Sequence, residues 1–252
     1  MNDGTETTRP PLLLLHGGGV AGWMWRPMTA HLRGSHRLIV PDLPGHGDQA
    51  RNDYESHEAT LARLIELLED ESAPASVVGF SLGAQLAVLL AARRPDLVSR
   101  VAVVSAQAVP TRAPGATLAL LDATAGLAAH RWFATLQASS LFIPRDLLEE
   151  YLQTSATVSR RTLHNAVGDN IRFTVPEGWS AFGGPALILA GGKERAMMRR
   201  SAALLHAALP HSELEIVDGC GHGIPLQRPE WFARRIEDWI GDPTMRGADQ
   251  AR

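Results

Sequence analysis

The sequence predicts an α/β fold: a mostly parallel sheet of about six strands with helices on both faces. Three observations lead there: six short apolar runs bounded by Gly, Pro or Asp, helical periodicity between them, and 252 residues, enough for one large core with an inserted lobe. Runs that are apolar at nearly every position read as strands buried on both faces, since a strand with one wet face would alternate. Helices between consecutive strands supply the crossovers that parallel pairing requires.

The first run is 12–15 (LLLL) and the second 37–41 (RLIVP). Leu61, Leu64, Ile65 and Leu68 then fall at i, i+3, i+4, i+7, the stripe of a helix with one buried face. The third run, 76–80 (SVVGF), leads into Leu82–Ala92, which is apolar nearly all round, as suits a helix packed between sheet and neighbours. After the fourth run, 100–105 (RVAVVS), the alternation breaks: from about 111 to 180 no strand-like run occurs. Two helical segments, near 116–138 and 145–158, stand there instead, followed by VPEGWSAFGGP. We expect a helical lid over 111–180, inserted between a first core part (1–110) and a second (181–252). The fifth run, 185–190 (PALILA), precedes a stripe of Met198, Ala202, Leu205 and Leu209. The sixth, 213–217 (ELEIV), precedes another of Phe232, Ile236, Trp239 and Ile240. The polar tail after Pro243 is expected to fray.

Composition excludes several classes. A net charge of −3 gives no electrostatic reason to bind nucleic acid. The single cysteine, Cys220, rules out an intramolecular disulfide and a cysteine-built metal site, and reads as a small packing residue. No apolar run is long enough to span a bilayer. The opening MNDGTETTRP lacks the basic-then-apolar order of a secretory signal, so a cytoplasmic location is the expectation. No feature speaks for or against an oligomer.

Chemistry enters at Gly79-Phe80-Ser81-Leu82-Gly83, between the third strand and its helix. A G-x-S-x-G elbow needs that context: the serine occupies a strained turn, and flanking glycines remove the Cβ atoms that would clash. The hydroxyl is then exposed at the carboxyl end of the sheet, beside a helix N-terminus that favours an anion. A plain Gly/Ser turn is the bland alternative. His16-Gly17-Gly18-Gly19 after the first strand is a second such loop, where bare backbone N–H groups can approach a reacting carbonyl oxygen. Together the loops nominate the N–H groups of Gly18 and Leu82 as an oxyanion hole. Phosphate binding is disfavoured, because G-x-x-x-x-G-K-[ST] is absent.

LLLLHGGG, GWMW, VPDLPGHG, GFSLG and GCGHG, in that order and spacing, resemble the α/β-hydrolase superfamily over nearly the whole chain outside the lid. The HGGGVAGWMW segment is similar to the methylesterase and hydroxynitrile lyase branch. Only eleven residues precede the first strand, so the superfamily's leading antiparallel hairpin is expected to be absent, leaving six parallel strands. The resemblance implies His222, in GCGHG, as the base that activates Ser81. His46, in DLPGHG, is its best competitor by motif. His31, His36, His57, His130, His164, His206 and His211 read as solvated or locally bonded, with His130 and His164 able to line a pocket. The resemblance places the acid at Glu194, in GGKER, where the superfamily usually has Asp. Asp218 is the rival, and a solvated charged loop the bland reading.

The implied function is hydrolysis of a carboxylic ester or thioester of a fairly apolar small molecule through an acyl-enzyme, with no metal or organic cofactor. One alternative is lyase or carbon–carbon bond cleavage with the same residues. Another is a ligand-binding protein on a hydrolase scaffold. Trp23, Trp132, Phe133 and Leu136 are candidate pocket residues, with Leu127 and Tyr151 beside them. At helical spacing such residues equally dock a lid, and Trp25 reads as core packing.

Overall fold

Six strands form one sheet in the order β2-β1-β3-β4-β5-β6, every pair parallel. The structure is a computed structural model that describes residues 9–32, 34, 36–124 and 131–242. The strands are β1 (Pro11–Leu15), β2 (Arg37–Ile39), β3 (Ala75–Phe80), β4 (Val98–Val104), β5 (Ala186–Gly191) and β6 (Glu213–Val217). The ends of the chain, residues 1–8 and 243–252, lie outside the described residues.

The uninterrupted apolar runs divide between two cores. Leu13 and Leu15 of β1 and Val101 and Val103 of β4 face one cluster, while Leu12, Leu14, Ala102 and Val104 face the other. Period-two geometry therefore sends alternate residues of one run into opposite cores. On the first face lie α2 (His57–Glu69), α3 (Leu82–Arg93) and α8 (Ala196–Ala208), through Leu61, Leu64, Leu86, Leu90 and Leu205. On the second lie α1 (Arg26–Thr29), α9 (Ile224–Gln227) and α10 (Pro229–Gly241), through Met28, Ile224, Phe232 and Ile236. Trp25 is buried there and stacks on Phe232, with ring centroids 6.2 Å apart.

Between β4 and β5 the described residues form α4 (Pro114–Thr124), α5 (Arg131–Ser140), α6 (Leu148–Thr157) and α7 (Arg160–Arg172), with no strand among them. Sequence periodicity predicts only two of these helical regions and misses α7. Its buried face is Thr162, Ala166, Gly168 and Ile171, too small and polar to read as a stripe. Long-range hydrogen bonds hold it instead: Tyr54 N–H donates to Thr162 Oγ1 at 3.0 Å, and His57 N–H to Asp169 Oδ2 at 2.6 Å. His57 is thus not solvated: its Nε2 lies 2.8 Å from Gln85 Oε1 in the core.

The inserted helices end sooner than the expected boundary at 180. Phe173, Trp179 and Phe182 join the first core, and Trp179 Nε1–H donates to Leu205 O at 2.9 Å. Trp179 stacks on Phe182 at 6.2 Å, so these two rings of VPEGWSAF are part of the first core.

Candidate active site

Ser81 sits where β3 turns into α3, with φ 53° and ψ −110°, a backbone strain a non-glycine residue adopts only when its surroundings impose it. Ser81 N–H donates to Val104 O at 2.9 Å, and Gly83 N–H donates to His16 O at 3.1 Å. The glycines on either side are required by close approach: a Cβ on Gly79 would lie 2.2 Å from Gly83 O, and one on Gly83 would lie 2.3 Å from Leu15 O. The pentapeptide is therefore a tight crossing of strand, helix and oxyanion loop.

Three side chains converge at the carboxyl end of the sheet. His222 Nε2 is 3.0 Å from Ser81 Oγ, and His222 Nδ1 is 2.6 Å from Glu194 Oε1. Glu194 Oε2 accepts Gly191 N–H at 2.8 Å, and its side chain is only 1% exposed. An ionised carboxylate only accepts, so it selects the imidazole tautomer with a proton on Nδ1, leaving Nε2 to accept from the serine hydroxyl. Such a relay can move a proton from Ser81 to His222 while the buried charge stabilises imidazolium. Asp218 is exposed in the turn after β6; Glu194, not Asp218, bonds the ring.

Short bonds hold the acid and base loops together. Lys193 N–H donates to Cys220 O at 2.8 Å, and Gly192 N–H to Val217 O at 2.9 Å. Gln227 Oε1 accepts Gly221 N–H at 2.8 Å, Arg199 donates to the carbonyls of Gly192 and Glu194, and the Phe142 ring lies against Gly221. Sequence reasoning misses Gln227, Arg199 and Phe142, none of which carries a local signal. Cys220 is buried, and desolvation pushes its thiol above the ordinary range.

Gly18 lies beside Leu82, with the Leu82 Cδ2 atom 3.7 Å from where a Gly18 Cβ would stand. Leu82 opens α3, so no carbonyl within its own helix can take its N–H. His16 sets this loop: its Nε2 accepts Leu43 N–H at 2.8 Å and its Nδ1 donates to Gly17 O at 2.7 Å. A histidine opening a glycine loop at a strand end was the available signal for that role. His46 is buried with its Nδ1 2.9 Å from Pro44 O, and burial lowers its pKa.

Burial, then the neighbouring His46, lowers the His16 pKa from 6.5 to about 3. An unfolded imidazole takes a proton below about 6.5 while native His16 stays neutral, so the unfolded state binds more protons between those values. Stability contributed by His16 is thus present above about 6.5 and lost as pH falls toward about 3. We predict that wild type loses about 2 kcal/mol more unfolding free energy between about pH 7 and about pH 5 than His16→Gln does. Urea unfolding at both pH values tests this, and equal losses in the two proteins would refute it.

Above Ser81 opens a cavity of about 710 Å³, walled by Gly18, Leu82, Leu121, Leu141, Tyr151 and Val167 among others. A second, of about 400 Å³, lies against His222 and Glu194 and is walled by Phe142, Lys193, Met197 and Met198. Trp23, Trp132 and Leu136 wall neither. Trp23 Nε1–H donates to Thr154 Oγ1 at 3.0 Å, tying the core to α6. Trp132 and Leu136 are 63% and 62% exposed, because α5 buries its small face, Ala134 and Ala138, instead. The Phe133 side chain, Leu127 and His130 lie outside the described residues. His164 is exposed and paired with Asp122 at 2.9 Å. Among the described residues no cluster of three or more His, Cys, Asp or Glu could hold a metal ion, and no helix is long and apolar enough to cross a membrane.

The chain is similar to known proteins over nearly its whole length. The chain is 29% identical over 261 residues to a pimeloyl-[acyl-carrier protein] methyl ester esterase of Aromatoleum aromaticum, covering 92% of this chain and 98% of that one. It is 25% identical to the mouse sn-1-specific diacylglycerol lipase ABHD11, over 93% of this chain and 82% of that one. The crystal structure of the enol-lactonase from Burkholderia xenovorans LB400 superposes with a TM-score of 0.78 at 21% identity, covering 93% and 92% of the two chains, and so shares the fold. Residues 12–235 match the Alpha/beta hydrolase family, and the chain belongs to that family.

Proposed function

We propose that this protein hydrolyses a carboxylic ester or thioester of a fairly apolar small molecule through an acyl-enzyme on Ser81. The observation that carries the reading is the unbroken hydrogen-bonded line from Ser81 Oγ through His222 to buried Glu194, with Ser81 at the wall of a largely apolar cavity. Ser81 Oγ attacks the carbonyl carbon as its proton passes to His222 Nε2, and Glu194 stabilises the imidazolium. The N–H groups of Gly18 and Leu82 take the oxyanion, where donors fixed in advance lower the barrier without reorganising. His222 then returns the proton to the leaving oxygen or sulfur, and water repeats the sequence to release the acid. Helices α4 to α7 act as the lid, contributing Leu121, Tyr151 and Val167 to the wall, with Leu141 from the turn after α5. The esterases and lipases among the relatives support ester chemistry.

The test is a panel of p-nitrophenyl esters from acetate to dodecanoate. We expect kcat/KM to rise from acetate to a maximum at medium chain length, as a largely apolar cavity of about 710 Å³ would select. Folded protein that turns over none of these esters would overturn the reading.

A further inference from the structure

The cavity above Ser81 is neutral except at one point. Among the described residues that wall it, Arg160 alone carries a formal charge, since burial keeps His46 neutral. Arg160 is the first residue of α7, directly after the Ser159 cap. Acids on the elements around it are engaged elsewhere: Asp53 with Ser159, Thr162 and Arg161, Asp122 with His164, and Glu150 with Arg26. No carboxylate among the described residues neutralises Arg160. Arg160 is exposed to solvent while it walls this cavity, so its guanidinium can meet a planar anion at the cavity's open side and bind it by two parallel charge-assisted hydrogen bonds.

The two cavities divide the substrate. His222, which hands the proton to the leaving group, walls the smaller cavity and not the larger, so the alcohol part departs on the smaller side. Gly18, Leu82 and Arg160 all wall the larger one, which therefore takes the acyl part. We infer that the preferred substrates are half-esters of linear dicarboxylic acids, with the distal carboxylate of the acyl chain bound by Arg160. This rests on Ser81 acting as an ester hydrolase.

The experiment compares mono-p-nitrophenyl esters of dicarboxylic acids, from succinate to azelate, with neutral p-nitrophenyl esters of equal chain length. Wild type is expected to favour the anionic ester at one chain length. Arg160→Met should lower the anionic-to-neutral ratio of kcat/KM by about 2- to 5-fold, the worth of a solvent-exposed ion pair, chiefly through KM. Arg160→Lys should restore part of that ratio, and Arg160→Glu should invert it. A wild type that favours neutral esters at every length, or a ratio unchanged in Arg160→Met, overturns the inference while leaving ester hydrolysis standing. Failure of wild type on neutral and anionic esters alike overturns the hydrolase reading itself.

Discussion

Ser81→Ala is expected to lower kcat for the best ester of the panel by about 10⁴- to 10⁶-fold, leaving the residual rate that oxyanion donors and binding supply alone. The loss should be chemical rather than structural. Alanine keeps the Cβ already accommodated at φ 53°, and among the described residues the hydroxyl it removes bonds only His222. The elbow is held from outside the side chain, by Ser81 N–H on Val104 O and by Gly83 N–H on His16 O, and neither bond changes. Thermal unfolding should therefore shift by a few degrees at most. A folded variant retaining more than about 1% of the wild-type rate would mean that another group is the nucleophile.

Glu194→Gln carries the second large effect, and the reason lies in the other oxygen of the carboxylate. Oε2 accepts Gly191 N–H at 2.8 Å inside the protein, so this position demands an acceptor. A glutamine must then turn its carbonyl oxygen to Gly191 and its NH₂ to His222 Nδ1. Facing a donor, Nδ1 must accept, which moves the ring proton to Nε2, where it can no longer take the proton of Ser81. The expected loss is on the order of 10⁴ in kcat, the cost of a wrong tautomer in such a relay. Asp218→Asn, in an exposed turn, should stay within about threefold of wild type. The reverse pattern in steady-state kinetics, with Asp218→Asn crippled and Glu194→Gln active, would move the acid to Asp218.

The elements that were legible in the sequence are those whose signal is local. β1, β3 and β5 are apolar at almost every position because both faces of the sheet are covered, and each stands out as a run. The elbow was legible because Gly79 and Gly83 answer a clash within the same pentapeptide. What escaped depends on residues distant in the chain. Helix α7 has little apolar periodicity because Asp53, Tyr54 and His57, more than a hundred residues away, hold its polar face. In α5 the sequence offered two faces four residues apart, Ala134 with Ala138 and Trp132 with Leu136, and hydrophobicity alone points to the wrong one. The small face is inside because close packing on the second core leaves room only for alanine there. Choosing between Glu194 and Asp218 was likewise a question of three dimensions: Glu194 is 28 residues from His222 but shares its loop junction through Lys193 and Cys220.

The central claim is that Ser81 is the nucleophile activated by His222. Incubation of the full chain with a fluorophosphonate, followed by digestion and mass mapping, tests it most directly, because phosphonylation needs both an activated oxygen and the proton relay. The account predicts one adduct, on the peptide containing Ser81, absent from Ser81→Ala and formed far more slowly in Glu194→Gln. An adduct on a different residue, or labelling undiminished in Ser81→Ala, would contradict it.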